Sequence, residues 1–238
     1  MTHSSVGRLF LVATPLGHLS DVSLRAVETL RAVDVIACED TRRTQILLRH
    51  HQVRKPLVSY HEHNERARAA ELVQQLKAGT TIALVSDAGT PLVSDPGYRL
   101  VRAAIEADLA VEWIPGPSAV IGALALSGLP PDQFTVVGFL PLKAGQRAQR
   151  LAQLRQEGRT VVAFEAPQRL TNSLTAIRDT CGNIAVAVCR ELTKLHEEVR
   201  RGTAEELLAH YTAHPPRGEI TLVFHPGQQN EVRGGARK

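Results

Sequence analysis

Val85-Ser86-Asp87-Ala88-Gly89-Thr90-Pro91 sets a carboxylate, two hydroxyls and a glycine–proline turn directly after the apolar run 82–85. Loops at the carboxyl ends of buried parallel strands are where open α/β sheets take small ligands. Trp113-Ile114-Pro115-Gly116-Pro117-Ser118-Ala119 repeats the design: an apolar strand, a Pro/Gly turn, then a small polar residue placed to open a helix. Carboxylates able to take a proton from a hydroxyl stand at Glu39, Asp40, Glu165 and Glu197, with Lys194 as a cationic helper. Glu39 and Asp40 run directly into Arg42-Arg43, so a base and a phosphate anchor would lie together. Capping is the competing reading for Asp40, Asp87 and Ser118, because short oxygen-bearing side chains satisfy the free N–H groups of turns and helix starts.

These groups need a scaffold, and the hydrophobic pattern supplies one. Strand-like runs at 9–13, 35–38, 82–85 and 111–114 alternate with helical patterns at 23–32, 41–50, 64–78 and 97–107. A small-residue helix at 118–127 leads into Gly128-Leu129-Pro130-Pro131, a breaker cluster suited to a domain junction. Strands follow at 135–139, 161–164, 184–188 and 220–224, with helices at 144–157, 170–179 and 204–210. The pattern predicts an α/β protein of two α/β domains, 1–117 and 118–226, facing a shared cleft, and a disordered Gly/Gln/Asn/Arg-rich tail at 227–238. A chain of this length buries roughly 70–75% of its unfolded surface, so no metal or disulfide staple is needed.

Composition narrows the function. The net charge is +4, from 28 basic and 24 acidic residues, and the excess is concentrated in two acid-free segments. One holds Arg42, Arg43, Arg49, Arg54 and Lys55; the other holds Lys143, Arg147, Arg150 and Arg155. Such clusters suit contact with a phosphate backbone, the alternative being solvated helix faces. Aromatic residues are only 4% of the chain, too few for an evident base-stacking platform. Neither G-x-x-x-x-G-K-[ST] nor G-x-G-x-x-G occurs; the first strand ends in Leu11-Val12-Ala13-Thr14-Pro15-Leu16-Gly17, where Pro15 lacks an N–H and favours an apolar or uncharged ligand surface. Cys38, Cys181 and Cys189 form no C-x-x-C pair and read as core residues of a cytoplasmic protein. His61-Glu62-His63 lacks a third ligand at metal spacing, so no metal is expected. There is no G-x-S-x-G elbow, no apolar run long enough for a membrane span and no signal-peptide pattern at the N-terminus.

Several motifs occur in one order: Val12-Ala13-Thr14-Pro15-Leu16-Gly17, Cys38-Glu39-Asp40-Thr41-Arg42, Ser86 through Pro91 with Leu92-Val93-Ser94-Asp95-Pro96-Gly97, and Pro115 through Ala119. Ser127-Gly128-Leu129-Pro130, Gly138-Phe139-Leu140-Pro141 and Arg190-Glu191-Leu192-Thr193-Lys194 complete the set. Together, over about residues 7–224, they resemble the rRNA cytidine 2′-O-methyltransferases of the tetrapyrrole-methylase superfamily. The resemblance implies two α/β domains with S-adenosylmethionine in the cleft between them, a homodimer, and a cytidine ribose near the decoding centre of 16S rRNA as substrate. It carries cofactor contacts onto Leu16, Asp87, Thr90, Ser118 and Ala119, and, through weaker motifs, onto Phe164, Leu192 and Ile220. Arg42, Arg43, Lys143 and Arg147 become the expected RNA contacts, with Glu39, Asp40 and Lys194 as the catalytic candidates. His18 and Gln168 depart from the family pattern, which has asparagine and histidine there, and members usually carry a helical region beyond the strand at Ile220. A tetrapyrrole C-methyltransferase, or a ribosome-binding protein that keeps the fold without turnover, is the alternative.

Overall fold

The structure is a computed structural model and describes residues 6–227; the predicted disordered tail lies, apart from Gly227, outside the described residues. Contacts divide the chain into two compact units, Met1–Ser118 and Ala119–Lys238.

In the first unit the order is β1 (Arg8–Val12), α1 (Leu24–Ala32), β2 (Val35–Cys38), α2 (Thr41–His50), β3 (Leu57–Ser59), α3 (Glu65–Lys77), β4 (Ile82–Val85), α4 (Tyr98–Glu106) and β5 (Ala110–Ile114). Local chemistry sets several helix starts. The Ser23 hydroxyl accepts from the Ala26 N–H at 3.1 Å, and the Asp40 carboxylate accepts from the Arg42 N–H at 2.8 Å. The five strands are all parallel, in the order β3-β2-β4-β1-β5. All four residues of β4 are buried, as a strand covered on both faces requires. Leu30 of α1 and Leu48 of α2 share one core with Val12 and Val85, whereas Leu72 of α3 and Leu100 of α4 share another with Leu9 and Leu84. Neighbouring β1 and β4 therefore send their following helices to opposite faces of the sheet, which opens a crevice at their carboxyl ends.

The second unit runs α5 (Ala119–Ser127), β6 (Phe134–Phe139), α6 (Ala144–Glu157), β7 (Thr160–Glu165), α7 (Leu170–Cys181), β8 (Ala185–Arg190), β9 (Glu198–Thr203), α8 (Ala204–Ala213) and β10 (Ile220–Phe224). Its sheet is mixed, β6-β7-β10-β8-β9, with only β6 and β7 parallel. Val186 and Val188 of β8 join the core formed with α6, α7 and α8, while the alternate residue Cys189 turns its thiol toward the Ala123 carbonyl of α5. The cluster at Gly128 to Pro131 is not the junction: it joins α5 to β6 inside this unit, where the Pro130 carbonyl accepts from the Thr160 hydroxyl at 2.7 Å.

Two strands escape the hydrophobic pattern. β9, Glu-Val-Arg-Arg-Gly-Thr, is an edge strand held by antiparallel pairing along the whole of β8, and β3 is three residues at an edge of the first unit's sheet. β9 rests on backbone pairing rather than apolar burial, and β3, although Leu57 packs against the core, is too short for alternation to announce it.

The cysteines are core residues, at 0%, 4% and 1% exposure for Cys38, Cys181 and Cys189. Burial raises all three thiols, Cys189 to about 11. The thiolate is the reactive form. The folded protein is therefore expected to show no fast reaction with a thiol-specific disulfide reagent at pH 8, all three reacting only in denaturant. Stoichiometric fast labelling of the native chain would show that one of these sites opens.

Candidate functional site

The carboxyl ends of β1, β4 and β5 are stitched together by backbone. The Thr14 N–H donates to the Gly89 carbonyl at 2.8 Å and the Gly89 N–H returns a bond to the Thr14 carbonyl at 3.0 Å. Gly89 sits at φ +77, a conformation that favours glycine. The Thr14 hydroxyl donates to the Ser86 carbonyl at 3.1 Å, and the Ser86 hydroxyl faces the carbonyls of Ala88 and Gly89 at 3.2 Å. Thr90 donates to the Pro117 carbonyl at 3.4 Å, tying in the loop after β5. A side chain at Gly116 would stand 2.9 Å from the Ala13 Cβ, so glycine permits that close approach.

Asp87 joins this group to the end of β2. One carboxylate oxygen accepts from the Asp40 N–H at 3.0 Å, and the other lies 3.6 Å from the Arg43 guanidinium. Beside it, a cavity of about 190 Å³ is walled by Pro15, Leu16, Ile46 and Leu47, with Arg43 and Asp87 among its lining. The site is thus apolar-walled with an anionic group at one side. Glu39 is half-buried next to Asp40. Burial raises its pKa, and the nearby Asp87 and Glu62 add to the rise, against smaller lowering by His61 and Arg43. The capping reading holds for Asp40, whose side chain bonds the Arg42 N–H. Ser118 and Ala119 stand half-buried where the chain enters α5.

In the second unit, Phe164, Leu192 and Ile220 gather at one end of the sheet. Ile220 pairs with Glu165 on one side and Arg190 on the other. Phe164 lies one residue before Glu165, its ring 6.0 Å from that of Phe139. The loop after β8 is held tightly: Glu191 and Thr193 adopt φ of +52 and +64, and the Glu191 N–H donates to the Glu219 carbonyl at 2.9 Å. Lys194 reaches Glu191 at 2.9 Å and Glu219 at 3.0 Å. Burial alone would lower its pKa, but these two carboxylates outweigh it and raise the value, so Lys194 stays protonated and acts as a cation, not a base. Its partner Glu191 is packed against Gly218, where an added Cβ would meet the carboxylate carbon at 2.3 Å.

Glu165, a candidate base by sequence, is committed elsewhere. Its side chain is fully buried; it accepts from the Ser173 hydroxyl and, at 2.8 Å, from the Ala166 N–H. The Arg169 Nε lies 3.2 Å away, an ion-pair contact whose angle falls short of a hydrogen bond, while Arg169 also reaches the Leu140 carbonyl. Arg147 is likewise structural in its contacts: 8% exposed, its guanidinium donates to the carbonyls of Pro141 and Leu142 at 3.2 Å. Lys143, by contrast, is exposed. The Asp87 link to Asp40 and Arg43 spans more than forty residues of sequence and leaves no local signal.

Residues 8–208 match the family described as Tetrapyrrole (Corrin/Porphyrin) Methylases, and the chain belongs to that family. Within it, the chain is 50% identical over 222 residues to a Mesorhizobium japonicum protein named ribosomal RNA small subunit methyltransferase I, covering 92% of this chain and 76% of that one. A Thermotoga maritima protein of the same name is 44% identical, covering 92% of this chain and 98% of its own length. Among solved structures, a diphthine synthase superposes with a TM-score of 0.70 at 15% identity, over 92% of this chain and 90% of that one. Uroporphyrin-III-C-methyltransferase from Thermus thermophilus gives 0.64 at 20% identity, over 93% and 96%. These structural likenesses establish the fold.

Proposed function

We propose that this protein methylates the RNA of the small ribosomal subunit, using S-adenosylmethionine, at the 2′-hydroxyl of a cytidine near the decoding centre. The observation that carries the reading is the shared name of relatives from 41% to 51% identical over most of the chain. The cofactor supplies an electrophilic methyl group on a sulfonium. The residues present fit such a ligand: Leu16 and Pro15 offer apolar wall, and Asp87 offers a charged acceptor for amino and cationic groups. Thr90, Ser118 and Ala119, with Phe164, Leu192 and Ile220 of the second unit, complete the proposed contacts. Glu39 is the proposed base for the ribose hydroxyl, and Lys194 a proposed cationic helper. Asp40 holds α2 in place instead. For RNA, Arg42 and Lys143 are the proposed phosphate contacts; Arg43 serves the Asp87 loop, and Arg147 its own loop. A homodimer in the cytoplasm belongs to the same proposal; among the described residues no helix is long and apolar enough to cross a membrane.

The test incubates the protein with labelled S-adenosylmethionine and either unmethylated small subunits or a tetrapyrrole precursor. Label on a cytidine ribose is expected. Label on the macrocycle, or on neither, overturns the reading in favour of a tetrapyrrole methylase or a non-catalytic binding protein. Asp87→Ala is expected to weaken cofactor affinity about 10- to 100-fold in calorimetry, the size of a charged hydrogen bond. Asp87→Asn keeps an acceptor for the Asp40 N–H and separates that structural tie from the charge. Wild-type affinity in both variants would leave Asp87 a purely structural residue.

A further inference from the structure

α2 presents two different basic faces. Arg43 turns to Asp87, but Arg42, Gln45 and Arg49, spaced three and four apart, share another side. After α2 the chain reverses at Gln52, a non-glycine residue at φ +56, and Val53 is buried beside Leu48. That reversal brings Arg54 and Lys55 back across from Arg42 and Arg49. The result is an open groove of about 710 Å³ whose lining includes all four cations, Thr41 and Gln45, and no carboxylate. Among the described residues, no carboxylate lies within ion-pair distance of any of the four, although Lys55 is close enough to help lower the Asp34 pKa. Elsewhere several exposed arginines are matched, Arg8 with Glu112, Arg99 with Glu65, Arg102 with Glu106 and Arg178 with Asp179, while exposed arginines without an ion pair among the described residues, such as Arg25, Arg66 and Arg159, do not line this groove. Four like charges converging without a counter-ion raise the local positive potential and favour an anionic partner.

We infer that this groove seats the phosphodiester backbone of the RNA substrate, as a docking subsite apart from the methyl-transfer residues. The inference rests on the rRNA reading above and adds where the backbone is held. An open groove with solvent-exposed guanidiniums suits a long polyanion running through it better than a small enclosed phosphate. No aromatic side chain lines it, so it offers no stacking surface and would hold the backbone without reading bases. The groove also divides the acid-free segment between two tasks: Arg43 braces the Asp87 loop, and the remaining cations face RNA.

The test compares wild type with the triple variant Arg49→Gln/Arg54→Gln/Lys55→Gln. Binding is measured on unmethylated small subunits and on protein-free 16S rRNA across a salt series, with cofactor affinity and thermal unfolding as controls. The variant is expected to keep cofactor affinity and melting temperature. It should bind both RNAs about 10- to 100-fold more weakly, with a log–log salt slope about 2–3 units shallower, one counter-ion contribution per lost contact. Arg49→Lys/Arg54→Lys should retain most of the wild-type slope, because charge rather than shape carries the contact. Unchanged affinity and slope in the glutamine variant, with wild type binding normally, overturns the groove alone. Weakened binding to subunits but not to free rRNA also overturns it, assigning the groove to an acidic ribosomal protein. A wild type that neither binds nor methylates rRNA overturns the functional reading itself.

Discussion

Glu165→Ala is expected to destabilise the second unit by about 3–5 kcal/mol, the usual cost of breaking a buried ion pair and stranding its partner. The carboxylate is fully buried, and its removal orphans the Ser173 hydroxyl, the Ala166 N–H and part of the Arg169 guanidinium in one step. Arg169 also reaches the Leu140 carbonyl, so the loop after β6 loses its anchor as well. The melting temperature should fall by about 10–20 °C, the shift that such a loss produces in a unit of this size. Because the two units are separately compact, the expected signature is a split transition, with the second unit melting first. Glu165→Gln keeps one acceptor oxygen for the Ala166 N–H and presents an NH2 group to the Ser173 hydroxyl, which can turn to accept it, so it should recover part of the loss. Urea midpoints for the three proteins check this; a Glu165→Ala protein as stable as wild type but catalytically dead would return Glu165 to the list of bases.

Glu39→Gln is expected to have the opposite profile, costing rate and not stability. General-base assistance is worth about 10²-fold or more, so single-turnover methylation should fall by that order while cofactor affinity holds. The sign follows from the raised pKa. With a folded value above the ordinary one, ionising Glu39 opposes folding at any pH above the unfolded pKa, so removing the charge should hold or raise stability at neutral pH. Activity runs the other way: the base is competent only once pH exceeds its raised pKa, which gives the wild type an acidic limb. That limb should vanish in Glu39→Gln. A reduced rate with the limb intact would place the base elsewhere.

The first unit was largely legible because its chemistry is local. The run Ile82-Ala83-Leu84-Val85 is buried throughout, and Asp40 marks the start of α2 by capping it, so strand and helix ends fall where residue types put them. In the second unit α7 runs on to Cys181 and α8 to Ala213, past the stretch that sequence periodicity covers. β9 is invisible because an edge strand made of Glu, Arg, Gly and Thr depends on its partner β8. The site was legible as loops and not as bonds. Sequence places Asp87 and Asp40 each at a strand end, but only the parallel pairing of β2 and β4 makes them neighbours. Glu165 misled for the same reason: a carboxylate ending a strand looks available until Ser173 and Arg169 fold back onto it.

The Thr14–Gly89 bridge, with Gly116 set against Ala13, means that the loops after β1, β4 and β5 are fixed by backbone before any ligand arrives. The ordering entropy of that wall is therefore spent during folding, not during association. Binding at this face should be limited by how fast the small molecule arrives and leaves rather than by a slow rearrangement of these loops, and the free energy of contact remains available for affinity.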